Sequence, residues 1–337
     1  MKIGLTYDLR QEYLALGFRE ADVAEFDSVE TIDALNAAIR SLGHTVERIG
    51  MARNLCRRLA AGERWDLVFN IAEGMGGRFR ESQVPCLLEL YGVPYTFSDP
   101  FACALTLDKS LAKRLVAAAG LRTPAFHVVR SAGDIEQVRL GYPLFAKPLA
   151  EGTGKGIDVD SCVETPEQLD RVCGRLLAQA GQPVLVEEYL PGREFTVGIL
   201  GTGAAARAIG TLEIEVLDPA LKGVYSYDAK ERCEKIVRYS TPPAGGLRED
   251  IEAVAVASHR ALECRDASRA DVRLDAEGRP SFMEINPLPG LHPSHSDLPM
   301  IATAAGIPYA ALIRAIVDSA AARRHTLAFP EAPAAGR

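Results

Sequence analysis

The sequence predicts an α/β protein that folds into two or three compact domains. Its 337 residues exceed what one simple hydrophobic core holds. Over residues 2–70, buried-strand patterns alternate with amphipathic helix patterns, which is typical of a small parallel α/β unit. Residues 269–290 differ, because two alternating strand patterns flank a four-residue polar connection containing Gly278, which predicts a β-hairpin.

Composition and charge argue against several classes of protein. The net charge is −7, whereas nucleic-acid binding needs a basic face, so we expect no nucleic-acid partner. No apolar run approaches the roughly 18 residues of a membrane span, and the N-terminus lacks a signal-peptide pattern, so we expect no membrane association. The seven cysteines are scattered without a C-x-x-C pair, which is typical of reduced thiols in the cytoplasm. Residues 326–337, rich in Ala and Pro, are expected to form a frayed tail.

The first part of the chain contains a regular series of predicted elements. Strands are predicted at residues 2–7, 44–49 and 66–70, and helices at residues 31–42, 52–61 and 83–91. The polar loop 72–82, which contains three glycines, follows the carboxyl end of a strand. Open α/β sheets bind their ligands at such ends, so this loop is a candidate part of the site.

A second group of predicted elements surrounds a glycine-rich loop. Helices are predicted at residues 105–119 and 309–322, and strands at residues 125–129, 144–147 and 184–187. Lys147 ends an otherwise apolar strand, so its ammonium group must emerge at the end of the sheet or be paired. Residues 151–156 read Glu-Gly-Thr-Gly-Lys-Gly; they lack the Walker A spacing, but their backbone N–H groups suit a phosphate. A glycine-rich turn without a ligand is the alternative interpretation.

The predicted hairpin brings charged and amide side chains to one face. With Asp275 opposite Pro280, antiparallel pairing places Arg273 opposite Phe282, Asp271 opposite Glu284 and Arg269 opposite Asn286. The residues expected to face a core are Val272, Leu274, Met283 and Ile285. Two carboxylates and a carboxamide oxygen in one place suit Mg²⁺, with Mn²⁺ as a second candidate ion. A solvated hairpin face is the alternative.

The hairpin and an earlier segment carry a family resemblance. Asp271, Glu284-Ile285-Asn286 and Pro289-Gly290 resemble the metal-binding segment of ATP-grasp enzymes of the D-alanine–D-alanine ligase type, and residues 81–95 resemble the end of that family's first domain. The resemblance extends roughly over residues 66–313. It implies an ATP-grasp architecture, in which an N-terminal parallel α/β (pre-ATP-grasp) domain precedes two α+β subdomains that clamp the nucleotide. We expect the N-terminal domain at residues 1–100, the central subdomain with the glycine-rich loop at 101–186, the C-terminal subdomain with the metal and substrate site at 187–325, and the tail at 326–337.

The resemblance also implies roles for individual residues. The metal ligands would be Asp271, Glu284 and Asn286. The ATP-binding residues would be Lys109, Lys147, Glu151, Gly152, Thr153, Gly154, Gly156, Glu187, Glu188, Tyr189, Leu190 and Glu194. Arg269, Gly290 and Lys230 would act in catalysis, and Ser296 would bind the second amino acid. Two further substrate contacts are expected where the chain departs from the family: Glu231, which follows the loop lysine, and Glu25 or Asp27, either of which could pair with the ammonium group of the first substrate from a shifted position.

The implied reaction is ATP-dependent formation of an amide bond between a carboxylate and an amino acid, through an acylphosphate, with release of ADP and phosphate. The substrates would be small molecules, and we expect a homodimer. The chain departs from the family in the half of the site that holds the first substrate, the acid that donates the carboxylate. The Gly-Gly-x-Ser-x-Glu segment is absent after the first strand, Glu231 replaces the tyrosine that follows the loop lysine, and residues 70–74 replace the family's His-Gly.

These departures predict an altered site for the first substrate. Three alternatives remain open: a genuine D-alanine–D-alanine ligase of cell-wall synthesis, another ATP-grasp chemistry such as carboxylation, and a non-catalytic nucleotide-binding module.

Overall fold

The computed structural model describes residues 1–152, 154–218 and 236–323 of the chain. Within these residues, three β-sheets follow one another along the sequence and are covered by helices. Thr153, Lys230, Glu231 and the predicted tail at 326–337 lie outside the described residues.

The first sheet is parallel and lies within the first 100 residues. It contains β1 (Lys2–Thr6), β2 (Thr45–Gly50) and β3 (Leu67–Asn70), with the helices α1 (Arg10–Ala15), α2 (Val29–Ser41), α3 (Ala52–Ala60) and α4 (Gln83–Leu90) around it. The strand order is β2-β1-β3, and all pairings are parallel. Ile3 and Leu5 of β1 pack with Leu35 of α2 in a fully buried cluster. The parallel α/β unit predicted from the alternation of strands and helices is therefore confirmed.

The second sheet is antiparallel and carries the glycine-rich loop. It contains β4 (Phe126–Val129), β5 (Leu144–Pro148), β6 (Cys162–Val163) and β7 (Val184–Glu188), in the order β4-β7-β5-β6. Its helices are α7 (Ala132–Ile135) and α8 (Pro166–Ala180). Thr165 caps the start of α8 by accepting the Gln168 N–H, and Gly181 ends the helix with a left-handed φ of 59°. The described residues of the glycine-rich loop, 151–152 and 154–156, follow β5 along the chain.

The third sheet contains the predicted hairpin. It has five antiparallel strands in the order β10-β9-β8-β11-β12. These are β8 (Glu194–Leu200), β9 (Arg207–Val216), β10 (Val237–Ser240), β11 (Ala267–Leu274) and β12 (Pro280–Asn286). Helix α9 (Gly246–Ala261) packs Ile251 and Ala255 against Val197 and Val272 on one face of the sheet.

Two later helices, α10 (Asp297–Ala304) and α11 (Tyr309–Ala322), complete this part of the fold. Gly198 and Gly210 are opposite each other in the sheet, and a Cβ atom on either would lie within 3.1 Å of Ile301 on α10. The paired glycines thus allow the helix to approach the strands closely. In the part of the chain that the structure describes, no single helix is long and apolar enough to cross a membrane; α10 and α11 pass that test only as a pair, bent by 113°.

The helix predicted over residues 105–119 is two helices, α5 (Pro100–Leu107) and α6 (Lys109–Ala118). Asp108 has an extended backbone, and its Oδ1 accepts hydrogen bonds from the N–H groups of Ser110 and Leu111. An Asp side chain offers the backbone this local alternative to a continuous helix. The prediction of one helix was wrong, and the break places Lys109 in the first turn of α6.

The predicted register of the hairpin is right at the site and wrong near the turn. Asp271 lies opposite Glu284 and Arg269 opposite Asn286, but Val272, not Arg273, lies opposite Phe282. A β-bulge between these pairs leaves Met283 as an extra residue of β12. Consequently Phe282 is buried in the core in place of Met283, which lines the cleft described below.

Candidate active site

A cleft between the second and third sheets brings together residues that are far apart in the sequence. The predicted ATP and metal residues that line it are Lys109, Lys147, Glu151, Gly154, Glu187, Glu188, Tyr189, Leu190, Glu194, Asp271 and Glu284. A neighbouring cavity is lined by Gly152, Arg269 and Asn286, and it shares Lys109, Glu151 and Glu284 with the cleft. These predicted residues therefore lie at one place in the fold, whereas Gly156, Gly290 and Ser296 line neither the cleft nor this cavity.

A buried group of three charged residues forms one wall of the cleft. Glu187 lies 2.9 Å from the Lys147 Nζ and 2.8 Å from the Lys113 Nζ, and both Glu187 and Lys113 have no exposed side-chain surface. Burial alone would raise the pKa of Glu187, but the two ammonium groups outweigh it, so this pKa is lowered and the carboxylate stays ionised. Glu187 thus forms ion pairs with two lysines, and it holds the Lys147 side chain in position near the end of β5.

The two lysines of this group differ in their surroundings. Burial lowers the pKa of Lys113 to about 8, whereas the pKa of Lys147 is raised because the charges of Glu187 and Glu284 outweigh its burial. The Lys147 Nζ lies 3.8 Å from the carboxylate of Glu284. Sequence reasoning missed Lys113, although it lies four residues after Lys109 and hence on the same face of α6.

The hairpin carboxylates lie among cationic side chains. Glu284 is 3.6 Å from the Lys109 Nζ, and Lys109 also donates a hydrogen bond of 2.6 Å to the Glu151 carbonyl. Asp271, opposite Glu284, forms a 2.6 Å ion pair with Arg269, which also lies 3.4 Å from Asp297. Two carboxylates and at least three cations at this place suit the binding of a charged ligand such as a polyphosphate.

The chemistry of these oxygen donors fits a divalent cation. Asp271 and Glu284 are directly opposed across the strands, and Asn286 follows two residues later on the same face. Among the described residues, no three His, Cys, Asp or Glu side chains form a cluster for a metal. A set of two carboxylates and one carboxamide is typical of Mg²⁺, which keeps water and phosphate oxygens in its shell.

The opposite end of the cleft is lined by an arginine that the sequence analysis did not select. Arg273 lies 3.2 Å from Glu194, donates a hydrogen bond to the Tyr189 hydroxyl, and has its guanidinium group 5.1 Å from the centre of the Tyr189 ring. These contacts fix both predicted nucleotide contacts in position. The signal was present, since Arg273 lies two residues after Asp271 and therefore on the same face of β11.

The segment after β1 holds the glycine-rich loop. The N–H of Gly152 donates a 2.6 Å hydrogen bond to Glu25 Oε1, while Arg80 bonds Glu25 Oε2 at 3.0 Å and the Ala150 carbonyl at 3.0 Å. Gly156 has a positive φ of 78°, and a Cβ atom there would lie 2.6 Å from Pro148. Both oxygens of Glu25 are thus engaged by the protein itself.

Gly290 and Ser296, which are predicted to act on the second substrate, lie next to each other. A Cβ atom on Gly290 would be 2.7 Å from the Ser296 hydroxyl, so only glycine permits this approach. The Ser296 hydroxyl accepts a 3.0 Å hydrogen bond from the His292 N–H and precedes α10. The roles of Gly290 and Ser296 stay predictions, as do those of the other residues named above.

Comparison with known proteins identifies the family of this chain. A family model described as the D-ala D-ala ligase C-terminus matches residues 115–318. A D-alanine–D-alanine ligase of Bordetella petrii is 38% identical over 279 residues, which are 81% of each chain. The chain belongs to the D-alanine–D-alanine ligase family. An uncharacterised protein of Sinorhizobium fredii is 36% identical over 75% of this chain and 74% of its own.

Solved structures of this family have the same fold. The D-alanine–D-alanine ligase of Bacillus anthracis complexed with ATP superposes with a TM-score of 0.73 at 20% identity, covering 97% of this chain and 99% of its own. The VanG D-Ala:D-Ser ligase of Enterococcus faecalis gives 0.72 at 22% identity, covering 95% and 99%. The predicted ATP-grasp fold is confirmed. So is the predicted enzyme class, an ATP-dependent, ADP-forming carboxylate–amine ligase.

Proposed function

We propose that this protein activates a small carboxylic acid with ATP and joins it to a free amino acid through an amide bond. One observation carries the proposal: Lys109 and Lys147 converge within 4 Å of Glu284, which lies opposite Asp271 in the same cleft. Phosphoryl transfer is catalysed mainly by positioning and by charge stabilisation, which this arrangement supplies. Use of ATP is further supported by the Bacillus anthracis relative of the same fold, whose structure contains ATP.

The residues suit two successive steps. An oxygen of the donor carboxylate attacks the γ-phosphorus, the bond to the β-phosphate oxygen breaks, and ADP leaves while Lys109 and Lys147 hold the phosphates. The amine of the second amino acid then attacks the acyl carbon, and phosphate leaves with the former carboxylate oxygen. Arg269 and the Gly290 N–H would hold the tetrahedral oxyanion, and the amine gives up its proton as the amide forms.

Two features of the site support these steps further. A magnesium ion held by Asp271, Glu284 and Asn286 would neutralise charge on the phosphates. The glycine-rich loop, which Glu25 holds at Gly152 and Arg80 holds just before it at the Ala150 carbonyl, would exclude the water that otherwise hydrolyses the acylphosphate.

We further propose that the donor is an acid other than D-alanine. The family's glutamate after the first strand pairs with the ammonium group of the first D-alanine, and its Gly-Gly-x-Ser-x-Glu segment is absent here. Glu25, the nearest candidate replacement, uses one oxygen for Gly152 and the other for Arg80. The acceptor half, with Arg269, Gly290 and Ser296, matches the family better. The homodimer and the cytoplasmic location stay predictions.

A genuine D-alanine–D-alanine ligase is the second candidate. It is favoured by the Bordetella ligases, of which that of Bordetella avium is 38% identical over 73% of this chain. If Glu25 or another acid replaces the missing glutamate, D-alanine would occupy both halves of the site.

Release of ADP separates the two candidates. We expect a mixture of a carboxylic acid and a different amino acid, drawn from a panel with Mg²⁺ and ATP, to give faster ADP release than D-alanine alone. Reactions without the amine serve as controls, and mass spectrometry identifies the amide. Equal or faster release with D-alanine alone would restore the cell-wall ligase, and bicarbonate-dependent release without any amine would indicate carboxylation. Absence of release with every pair would favour the non-catalytic module.

A further inference from the structure

A buried carboxylate outside the predicted site residues lies in the cavity beside the nucleotide cleft. Glu81 belongs to a short 3-10 turn, Arg80–Ser82, directly before α4. The cavity that Glu81 lines also contains Lys109, Arg269 and Asn286. The same small space therefore adjoins Glu81, the predicted metal ligands and the predicted oxyanion donor.

One carboxylate oxygen of Glu81 is buried without a hydrogen-bond partner among the described residues. This oxygen is Oε2, and the residue as a whole is only 8% exposed. The adjacent Arg80 is committed elsewhere, to Glu25 and to the Ala150 carbonyl. Leaving a carboxylate oxygen buried without a hydrogen bond is unfavourable, so we expect a hydrogen-bond donor of a bound ligand to occupy this place.

The charges around Glu81 favour a positively charged hydrogen-bond donor. Glu25 and Glu73 add two further carboxyl groups near Glu81, and Arg80 is the main counter-charge. Burial raises the pKa of Glu81 to about 7, with Arg80 and Lys109 opposing the effect. Burial and the charge of Glu81 likewise raise the pKa of Glu73. A positively charged group bound here would remove this excess of acid.

We infer that Glu81 is the residue that selects the donor, by accepting a hydrogen bond from an ammonium or guanidinium group carried by the acid to be activated. The inference rests on the proposed function and deepens it, because it names the chemical class of the donor. Glu81 lies on a different loop from the family's missing glutamate, so the cation that it binds need not be the α-ammonium group of D-alanine. Glu25 is engaged by Gly152 and Arg80. The shared cavity brings the donor's cation to Glu81 while its carboxylate faces Lys109 and Arg269.

The test compares acids that differ only in this charge. The probes are D-alanine against D-lactate, L-alanine against L-lactate, and D-lysine against D-norleucine, each with a fixed acceptor amino acid. We expect wild type to prefer the cationic member of at least one pair by about tenfold or more in kcat/KM. Glu81→Gln is expected to reduce the preference to within about threefold, with little change in the KM for ATP. Glu81→Asp, which keeps the charge, should retain it, and Glu136→Gln on the exposed surface is the matched control.

The pH profile gives a second readout. In wild type, kcat/KM for the preferred cationic donor is expected to rise through about pH 7 as Glu81 ionises. The groups facing Glu81 are Arg80, Lys109, Glu25 and Glu73. Loss of this rise in Glu81→Gln, with the rise kept in Glu136→Gln, would support the assignment. An unchanged profile would contradict it.

Binding separates this inference from the proposed function. Thermal shifts of wild type and Glu81→Gln are measured with the same probe pairs and a non-hydrolysable ATP analogue, so no turnover is needed. Preferential stabilisation of wild type by the cationic probe, lost in Glu81→Gln but kept in Glu81→Asp, supports the inference even if no ADP is released. Equal stabilisation by both members of every pair, or an unchanged preference in Glu81→Gln, overturns it even if the protein is a ligase.

Discussion

Glu187→Gln is expected to lower the free energy of unfolding by about 3–5 kcal/mol, because it leaves two buried ammonium groups without their shared carboxylate. Lys113 and Lys147 lie 2.8 and 2.9 Å from that carboxylate. Chemical denaturation at pH 7, followed by circular dichroism, measures the loss. Glu188→Gln, an exposed substitution one residue later, should change stability by no more than about 0.5 kcal/mol.

The effect of Glu187→Gln should depend on pH in a defined direction. The pKa of Lys113 is already lowered to about 8 from 10.5, so between these values the unfolded chain binds more protons and stability rises with pH. Removing Glu187 lowers the pKa of Lys113 further, so the variant gains stability with rising pH already below pH 8, where wild type does not. The deficit of the variant should therefore shrink as the pH rises towards 8 and stay constant above it. A loss below about 1 kcal/mol at pH 7 would mean that the three charges are solvated rather than buried.

Glu284→Gln is expected to reduce ADP release by at least about 100-fold while leaving the fold intact, since one charged ligand is lost without a change in volume. Glu284 lies opposite Asp271 and within 4 Å of two lysines, so its charge would act on both a bound metal ion and the phosphates of ATP. Steady-state assays at saturating ATP and substrates measure the loss, and the thermal midpoint checks the fold.

Glu277→Gln is the matched control, because Glu277 lies in the exposed turn of the same hairpin and pairs with Arg279. It should keep ADP release within about twofold of wild type. Turnover of Glu284→Gln within about tenfold of wild type, roughly 1.4 kcal/mol of barrier, would mean that the hairpin is only a solvated face.

The hairpin explains how a prediction from sequence can be right at the site and wrong beside it. The predicted connection has four residues, whereas Leu274 pairs with Pro280 and the actual connection therefore has five. The bulge at Met283 adds one residue to β12, and the two deviations cancel before Asp271 and Glu284. Alternation of side chains indicated the face of each strand, but a bulge has no signal in this sequence.

Residues that act through burial or through long-range contacts were harder to predict. Lys113 resembles an ordinary surface lysine of a helix until packing encloses it beside Glu187. The expanded segment after β1 gave no pattern that predicted its contact with the glycine-rich loop, in which Glu25 bonds Gly152 across 127 residues. In the sequence, Glu81 was only the first residue of the segment 81–95 that resembles the family. Its unsatisfied oxygen could not be predicted, because it depends on the direction of the Arg80 side chain, which bonds Glu25 instead.

Transfer of oxygen from the donor acid to phosphate tests the central claim most directly. The donor that gives the fastest ADP release is labelled with ¹⁸O in its carboxylate, and the phosphate released with Mg²⁺, ATP and the acceptor is analysed by mass spectrometry. Activation through an acylphosphate predicts one ¹⁸O atom in each phosphate, because the acyl C–O bond breaks when the amine attacks. Unlabelled phosphate, released at the rate of ADP, would contradict the account, since the γ-phosphoryl group would then have passed to water.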